Sequence, residues 1–289
     1  MAPLSRLPYL TAYVVLTLAF VALLSGTMLL ATRGLARPDA LLLTLAVVAS
    51  LPMADAFVEA QTTIPMMVFV AAADLTADTH PRLAGLFAAL AFLRYQTAIG
   101  ALGGLLLVRP RLIPAFGAGV LLLAGLGVLL LGGHPEVMLP GIRYGIGGFL
   151  SAPFSIPGVA GRWTWPLDGL MFVLSVATAW RVRSLTSAAM LAGSVGWVAV
   201  SPFVYMHDLA LTPLLTALLL VRLSRGGVPM VPVAIAGALL YVATETAVGS
   251  LVVLAEFGLL AALWTVPAYA ARPRPQAGAT AASIPSTSL

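Results

Sequence analysis

Long apolar runs broken by a few polar residues set the rhythm of this chain. Eleven stand out, at 9–31, 40–53, 63–77, 83–94, 97–108, 112–132, 166–180, 187–201, 208–222, 229–246 and 250–270. Several fall short of the ~20 residues a perpendicular membrane crossing needs, so they read as tilted, broken or shielded by neighbours inside a bundle. The fold class expected is all-α: a polytopic transmembrane helix bundle of about 11 segments filling 1–271. Between the sixth and seventh runs lies an outward loop at 133–165, with Pro135, Pro140, Pro153, Pro157 and the interfacial aromatics Trp163 and Trp165. A short helix lying on the membrane surface fits that stretch. The end, 272–289, is small and polar and reads as a disordered cytoplasmic tail.

Composition sharpens the class. Hydrophobic residues make up 61% of the 289 and charged residues 9%, a balance that leaves a soluble domain nothing to offer water. The net charge of +5 comes from arginine alone, since the chain has no lysine. The arginines sit as punctuation between apolar runs, which is the positive-inside pattern and not a nucleic-acid footprint. With the C-terminus placed in the cytoplasm, Arg33, Arg37, Arg82, Arg109, Arg111, Arg181, Arg183, Arg222, Arg225, Arg272 and Arg274 share that side. Arg6, Arg94, Arg143 and Arg162 fall on the other. The bias holds only if 83–108 is two short helices turning near Arg94. The expected location is the cell membrane, as a multi-pass protein of a bacterial inner membrane. Without cysteine and with only three scattered histidines, the chain offers no thiol chemistry and no zinc-ligand spacing, so no metal or cofactor is expected.

Arg94 is the first functional suspect, because 83–108 carries no other charge. An arginine at the centre of a spanning helix costs roughly 2.5–3.5 kcal/mol on insertion scales. A turn at Arg94 lifts it toward the interface. Four clusters then share the outward side: Asp55, Glu59 and Gln61; Arg94, Tyr95 and Gln96; His134, Glu136, Arg143, Tyr144 and Arg162; and Ser201–Asp208 with Tyr205 and His207. Arginines beside carboxylates and a histidine at one membrane face suit a phosphate headgroup, since guanidinium donates two parallel hydrogen bonds. Plainer readings stand beside this. Asp55 and Glu59 can be solvated loop carboxylates, Arg94 can pair with one of them to hold helices, and Arg143 and Arg162 can be interfacial anchors. His207 and Asp208 can be an ordinary helix start. Asp168, Glu245 and Glu256 lie within apolar runs and receive no role.

The order of features resembles glycosyltransferase family 87, integral membrane enzymes of the GT-C class. The likeness is carried by Val58-Glu59-Ala60-Gln61, Arg82-Leu83-Ala84-Gly85, Leu93-Arg94-Tyr95-Gln96 and Val108-Arg109-Pro110-Arg111. Ser201-Pro202 through His207-Asp208-Leu209 and Ser155-Ile156-Pro157-Gly158 continue it. Ala60 stands where the family has glycine, Arg94 where lysine is common and His207 where tyrosine is common. The resemblance implies transfer of a sugar, mannose or another hexose or pentose, from a polyprenyl-phosphate donor to a glycan or lipid acceptor on the outer membrane face. It implies Arg94, Gln61, Gln96, Arg143, Tyr205, His207 and Asp208 as substrate-binding residues, with Glu59 or Asp55 as base. The likeness begins part-way into the family pattern, so the usual catalytic acid of the first outward loop is expected upstream of Met1. A chain lacking it would bind lipid phosphate without transfer. A multi-pass transporter or lipid flippase and a non-catalytic membrane scaffold remain as alternatives, and membrane lipids are partners under each.

Overall fold

A computed structural model describes residues 8–58, 62–130, 132–134, 154–202, 204–246 and 248–267. The described residues are helices and turns, with no strand among them. In chain order the α-helices are α1 (Tyr9–Ala31), α2 (Arg37–Val48), α3 (Leu51–Val58), α4 (Thr63–Thr76), α5 (Pro81–Ala91), α6 (Tyr95–Val108) and α7 (Ile113–Leu130). They continue as α8 (Ile156–Val159), α9 (Thr164–Arg181), α10 (Thr186–Val200), α11 (Leu211–Gly226), α12 (Val231–Glu245) and α13 (Gly249–Leu263). Among the described residues, four helical runs are long and apolar enough to cross a membrane: Tyr9–Ala31, Pro81–Val108, Pro110–Leu130 and Met206–Gly226. The pair α2 and α3, bent by 54°, would make a fifth if taken as one. Large apolar side chains lie exposed along α1, α7, α9 and α12, while the interior is rich in alanine, glycine, serine and threonine. That arrangement suits a bundle whose solvent is hydrocarbon.

Local chemistry explains two boundaries. The apolar run at 40–53 is split because Pro52 lacks an N–H and its ring would strike the carbonyl of Val48 four residues earlier. The first helix therefore ends at Val48 and α3 starts afresh with Pro52 in its opening turn. At the far end of α11, Gly227 takes the left-handed conformation (φ +62°) and returns its N–H to the carbonyls of Leu223 and Ser224.

The turn expected at Arg94 is present. Taken by length, Pro81–Val108 is one helical run of 28 residues, which as a straight helix would measure about 42 Å. Its two ends meet instead. Arg109 Nε lies 2.8 Å from Asp78 Oδ1, and Arg111 Nη2 donates to the carbonyl of Ala77 at 3.3 Å. A 3₁₀ turn over Phe92–Arg94 reverses the chain, and Arg94 itself leaves the helical region at ψ +63°. Helix α7 then runs parallel to α5: a Cβ at Gly85 would stand 2.7 Å from that of Ala115, and one at Gly119 would stand 2.6 Å from that of Ala89.

Helix α6 packs most closely on α10. Gly100 and Gly104, one turn apart, face Gly193 and Ala189, and a Cβ at Gly100, Gly104 or Gly193 would run into the opposing backbone carbonyl. Small residues at this spacing let backbones approach where no hydrophobic force drives helices together. The bundle thus has two polar ends. One carries Arg94 at the hairpin tip, with α3 and the turn before α11. The other gathers Arg33, Arg37, Arg82, Arg109, Arg111, Arg181, Arg183, Arg222 and Arg225, nine of the eleven arginines among the described residues.

Candidate functional site

The site is assembled from segments distant in sequence. Asp208 sits in a 3₁₀ turn, Met206–Ala210, that leads into α11. Its Oδ2 accepts the backbone N–H of Tyr205 at 3.0 Å, while Tyr205's carbonyl accepts the N–H of Asp208 at 3.0 Å. That reciprocal pair fixes the carboxylate at a helix start, the plain role expected of it. Its other oxygen does more. Oδ1 accepts Thr97 Oγ1 at 2.6 Å and Arg94 Nη2 at 3.2 Å, joining the hairpin tip to the start of α11.

Arg94 is held on three sides. Nε donates to Thr97 Oγ1 at 3.2 Å and Nη1 to Thr62 Oγ1 at 3.3 Å, besides the ion pair with Asp208. Among the described residues the carboxylate paired with Arg94 is that of Asp208, not that of Asp55. Thr62 and Thr97 were not legible as site residues, although Thr97 follows Arg94 by one helical turn, the spacing at which helix neighbours meet.

His207 lies between two carboxylates. Its Nδ1 is 3.0 Å from Asp55 Oδ2, which also accepts the His207 backbone N–H at 3.1 Å. Its Nε2 lies 3.8 Å from Asp208 Oδ1. Because an ionised carboxylate only accepts, the contact with Asp55 assigns the ring proton to Nδ1. Tyr205 stacks on the imidazole, ring centres 5.7 Å apart and planes 10° off parallel. Side-chain exposure grades across the cluster: 6% for His207, 9% for Asp208, 14% for Arg94 and 31% for Asp55. Asp55 alone combines an anchored oxygen with an open one, since Oδ1 has no partner among the described residues.

Of the residues singled out from sequence, Asp55, Arg94, Tyr205, His207 and Asp208 converge here. Gln96 stands at the edge with its side chain exposed, and contributes its backbone carbonyl to Trp197 Nε1. Glu59, Gln61 and Arg143 lie outside the described residues, as do most of the loop at 133–165 and the tail at 272–289. The described part of that loop includes α8 and a 3₁₀ turn, Gly161–Trp163, with the Arg162 guanidinium 5.6 Å over the Trp163 ring. That stacking agrees with an anchoring role for Arg162. Among the described residues no three His, Asp or Glu side chains converge as metal ligands.

The opposite end holds a second buried cluster. The Asp74 side chain is fully buried and accepts Thr186 Oγ1. Arg222 donates to Thr186 Oγ1 at 2.7 Å and to the Asp74 carbonyl at 2.9 Å, its Nη2 standing 3.0 Å from Asp74 Oδ2. No family model, curated protein or solved structure matches the chain.

Proposed function

We propose that this chain is a multi-pass membrane glycosyltransferase of the GT-C kind, moving a sugar from a polyprenyl-phosphate donor to a glycan or lipid acceptor at the Arg94 end of the bundle. The observation that supports the reading most is the Asp55 carboxylate: one oxygen fixed by two His207 N–H groups, the other open, at the edge of a cluster that also holds a guanidinium. Asp55 removes the proton from the acceptor hydroxyl, and that oxygen bonds to the anomeric carbon. The bond from that carbon to the phosphate oxygen breaks, and the phosphate leaves with the electron pair. Arg94, held by Asp208, Thr97 and Thr62, sets its guanidinium charge beside the site, where it stabilises the developing phosphate charge. With nine arginines at the other end, the positive-inside rule turns the Arg94 end outward and leaves the C-terminus in the cytoplasm.

The test is transfer of labelled sugar from a polyprenyl-phosphate donor in proteoliposomes. Asp55→Asn keeps the shape and both anchoring hydrogen bonds' acceptor, so the protein should stay folded while transfer falls roughly a hundred- to ten-thousandfold. Unchanged transfer by a well-folded Asp55→Asn sinks the role of Asp55. Absence of transfer by the parent chain with every donor offered favours a non-catalytic scaffold.

A second reading, a transporter or lipid flippase, draws on Glu256. That carboxyl is buried within α13, and its Oε2 has no hydrogen-bond partner among the described residues. Intramembrane acids of this kind line transport paths. Glu256→Gln abolishing substrate or lipid movement in proteoliposomes, with no transfer detected, would select that reading.

A further inference from the structure

The arginine-rich end holds a cation cluster that its own carboxylates do not neutralise. Arg109 Nε pairs with Asp78 at 2.8 Å, and Arg111 Nη2 reaches the same oxygen at 3.5 Å. Arg109 Nη1 also donates to the carbonyl of Arg183 at 2.8 Å, bringing the α9–α10 turn alongside. The Arg183 guanidinium lies 4.9 Å over the ring of Trp180. Two guanidinium groups thus share one half-exposed carboxylate, a third stands on the adjoining turn over Trp180, and Arg111 and Arg183 are exposed.

An apolar groove leads away from this cluster. It encloses about 380 Å³ between α6 and α9, floored by α10, and is lined at its far end by Ile99 and Trp197 and at its near end by Leu107 and Ala179. Leu107 is two residues from Arg109 and Ala179 one from Trp180, so the groove ends beside the cations. Gly103 opens it: a Cβ there would meet nothing within 4 Å. The polar group of the wall, Ser175, gives its hydroxyl to the carbonyl of Ala192 at 2.6 Å. A long apolar slot that ends in an excess of guanidinium over carboxylate and a tryptophan fits an acyl chain and complements an anionic headgroup.

We propose that this face binds an anionic glycerophospholipid, with an acyl chain in the α6–α9 groove and the headgroup phosphate on Arg111 and Arg183. The site lies at the opposite end from Asp55 and does not depend on the transferase reading. Its occupant bridges the hairpin and the α9–α10 turn.

The test uses the full-length protein, purified in detergent and titrated with phosphatidylglycerol or phosphatidylcholine of the same chains while bound lipid is counted by native mass spectrometry. The parent chain should prefer phosphatidylglycerol. Each arginine near an anionic surface is worth about a factor of five, so the Arg111→Gln, Arg183→Gln double variant should lose about thirtyfold of that preference. Gly103→Leu fills the groove without touching a cation and should weaken both lipids alike. Equal binding of the two lipids by the parent overturns the proposal, as does a double variant with the parent's preference. Binding of Gly103→Leu as tight as the parent's overturns the place of the chain. Displacement of phosphatidylglycerol by millimolar inorganic phosphate would show a simple anion site and overturn the lipid assignment. Transfer activity is read separately in the Asp55→Asn experiment, so either idea can fail alone.

Discussion

The two ends of the bundle each hold an ion pair between an arginine and an aspartate, and they use it differently. At the Arg222 end, Asp74 is fully buried, one oxygen accepts Thr186, and Arg222 donates both to that hydroxyl and to the backbone of Asp74 itself. The groups close on one another and tie α4, α10 and α11 together. At the Arg94 end the pair with Asp208 is one side of a wider arrangement, and beyond it His207 presents Asp55, whose second oxygen stays open. A closed cluster resists separation of helices. An open one at an exposed edge can take a proton from something that arrives.

The sharpest way to break the comparison is at the closed end. Asp74→Ala leaves Arg222 with its main counter-charge gone, and removing one member of a buried pair costs about 3–5 kcal/mol. Arg222→Ala should cost as much, read as a lower thermal midpoint for the monodisperse peak on size-exclusion in detergent. Replacing both together by leucine should recover most of the loss, because apolar residues of similar volume often replace a buried pair at no cost. Failure of the double variant to recover would mean this cluster, too, does more than hold helices. The contrasting result at the open end is Asp55→Asn, which should spare the thermal midpoint and remove transfer.

The apolar rhythm made the helices legible, because a run without charge has little other use. The hairpin was legible too. Arg82 and the Arg109/Arg111 pair could share one side only if the chain turned back between them, and the contact of Arg109 with Asp78 is that return. Asp55, His207 and Asp208 drew notice as charges near the ends of runs. Their pairing was not legible: Arg94 meets Asp208 across 114 positions and His207 meets Asp55 across 152. Asp74 escaped notice altogether, since an aspartate near the end of an apolar run reads as the edge of a span. Only packing brings Arg222, 148 positions away, beneath it. The split at Val48 could have been seen from Pro52, whose ring forbids the helix bond four residues back.

A smaller effect separates positioning from chemistry at the open end. Thr97 donates to Asp208 at 2.6 Å and accepts from Arg94 Nε at 3.2 Å, so it couples the two charges of the pair. Thr97→Val keeps the volume, removes a hydrogen bond to a charged group and should lower stability by about 1.5–3 kcal/mol. If Arg94 acts on the developing phosphate charge, Thr97→Val should lower kcat and leave KM for the polyprenyl donor nearly untouched, while Thr97→Ser recovers the parent values. A change in KM alone would place Thr97, and with it Arg94, in holding the donor and not in stabilising the charge that develops as the phosphate leaves.

The smallest effect belongs to Asp78, the acid at the base of the hairpin. It is 52% exposed, and ion pairs so open to solvent contribute about 0–1 kcal/mol. Arg109 keeps its bonds to the carbonyls of Arg183 and Ser184 when Asp78 is gone, so the turn retains a backbone anchor. Asp78→Ala should therefore shift the thermal midpoint by no more than a few degrees, and high salt should shrink that shift further. The same substitution removes the carboxylate that pairs with Arg109 and Arg111, so it should strengthen binding of phosphatidylglycerol even as it slightly weakens the fold. Opposite signs in those two measurements would separate an acid that holds helices together from one that tempers a cation cluster, and for Asp78 its exposure makes the second the larger share.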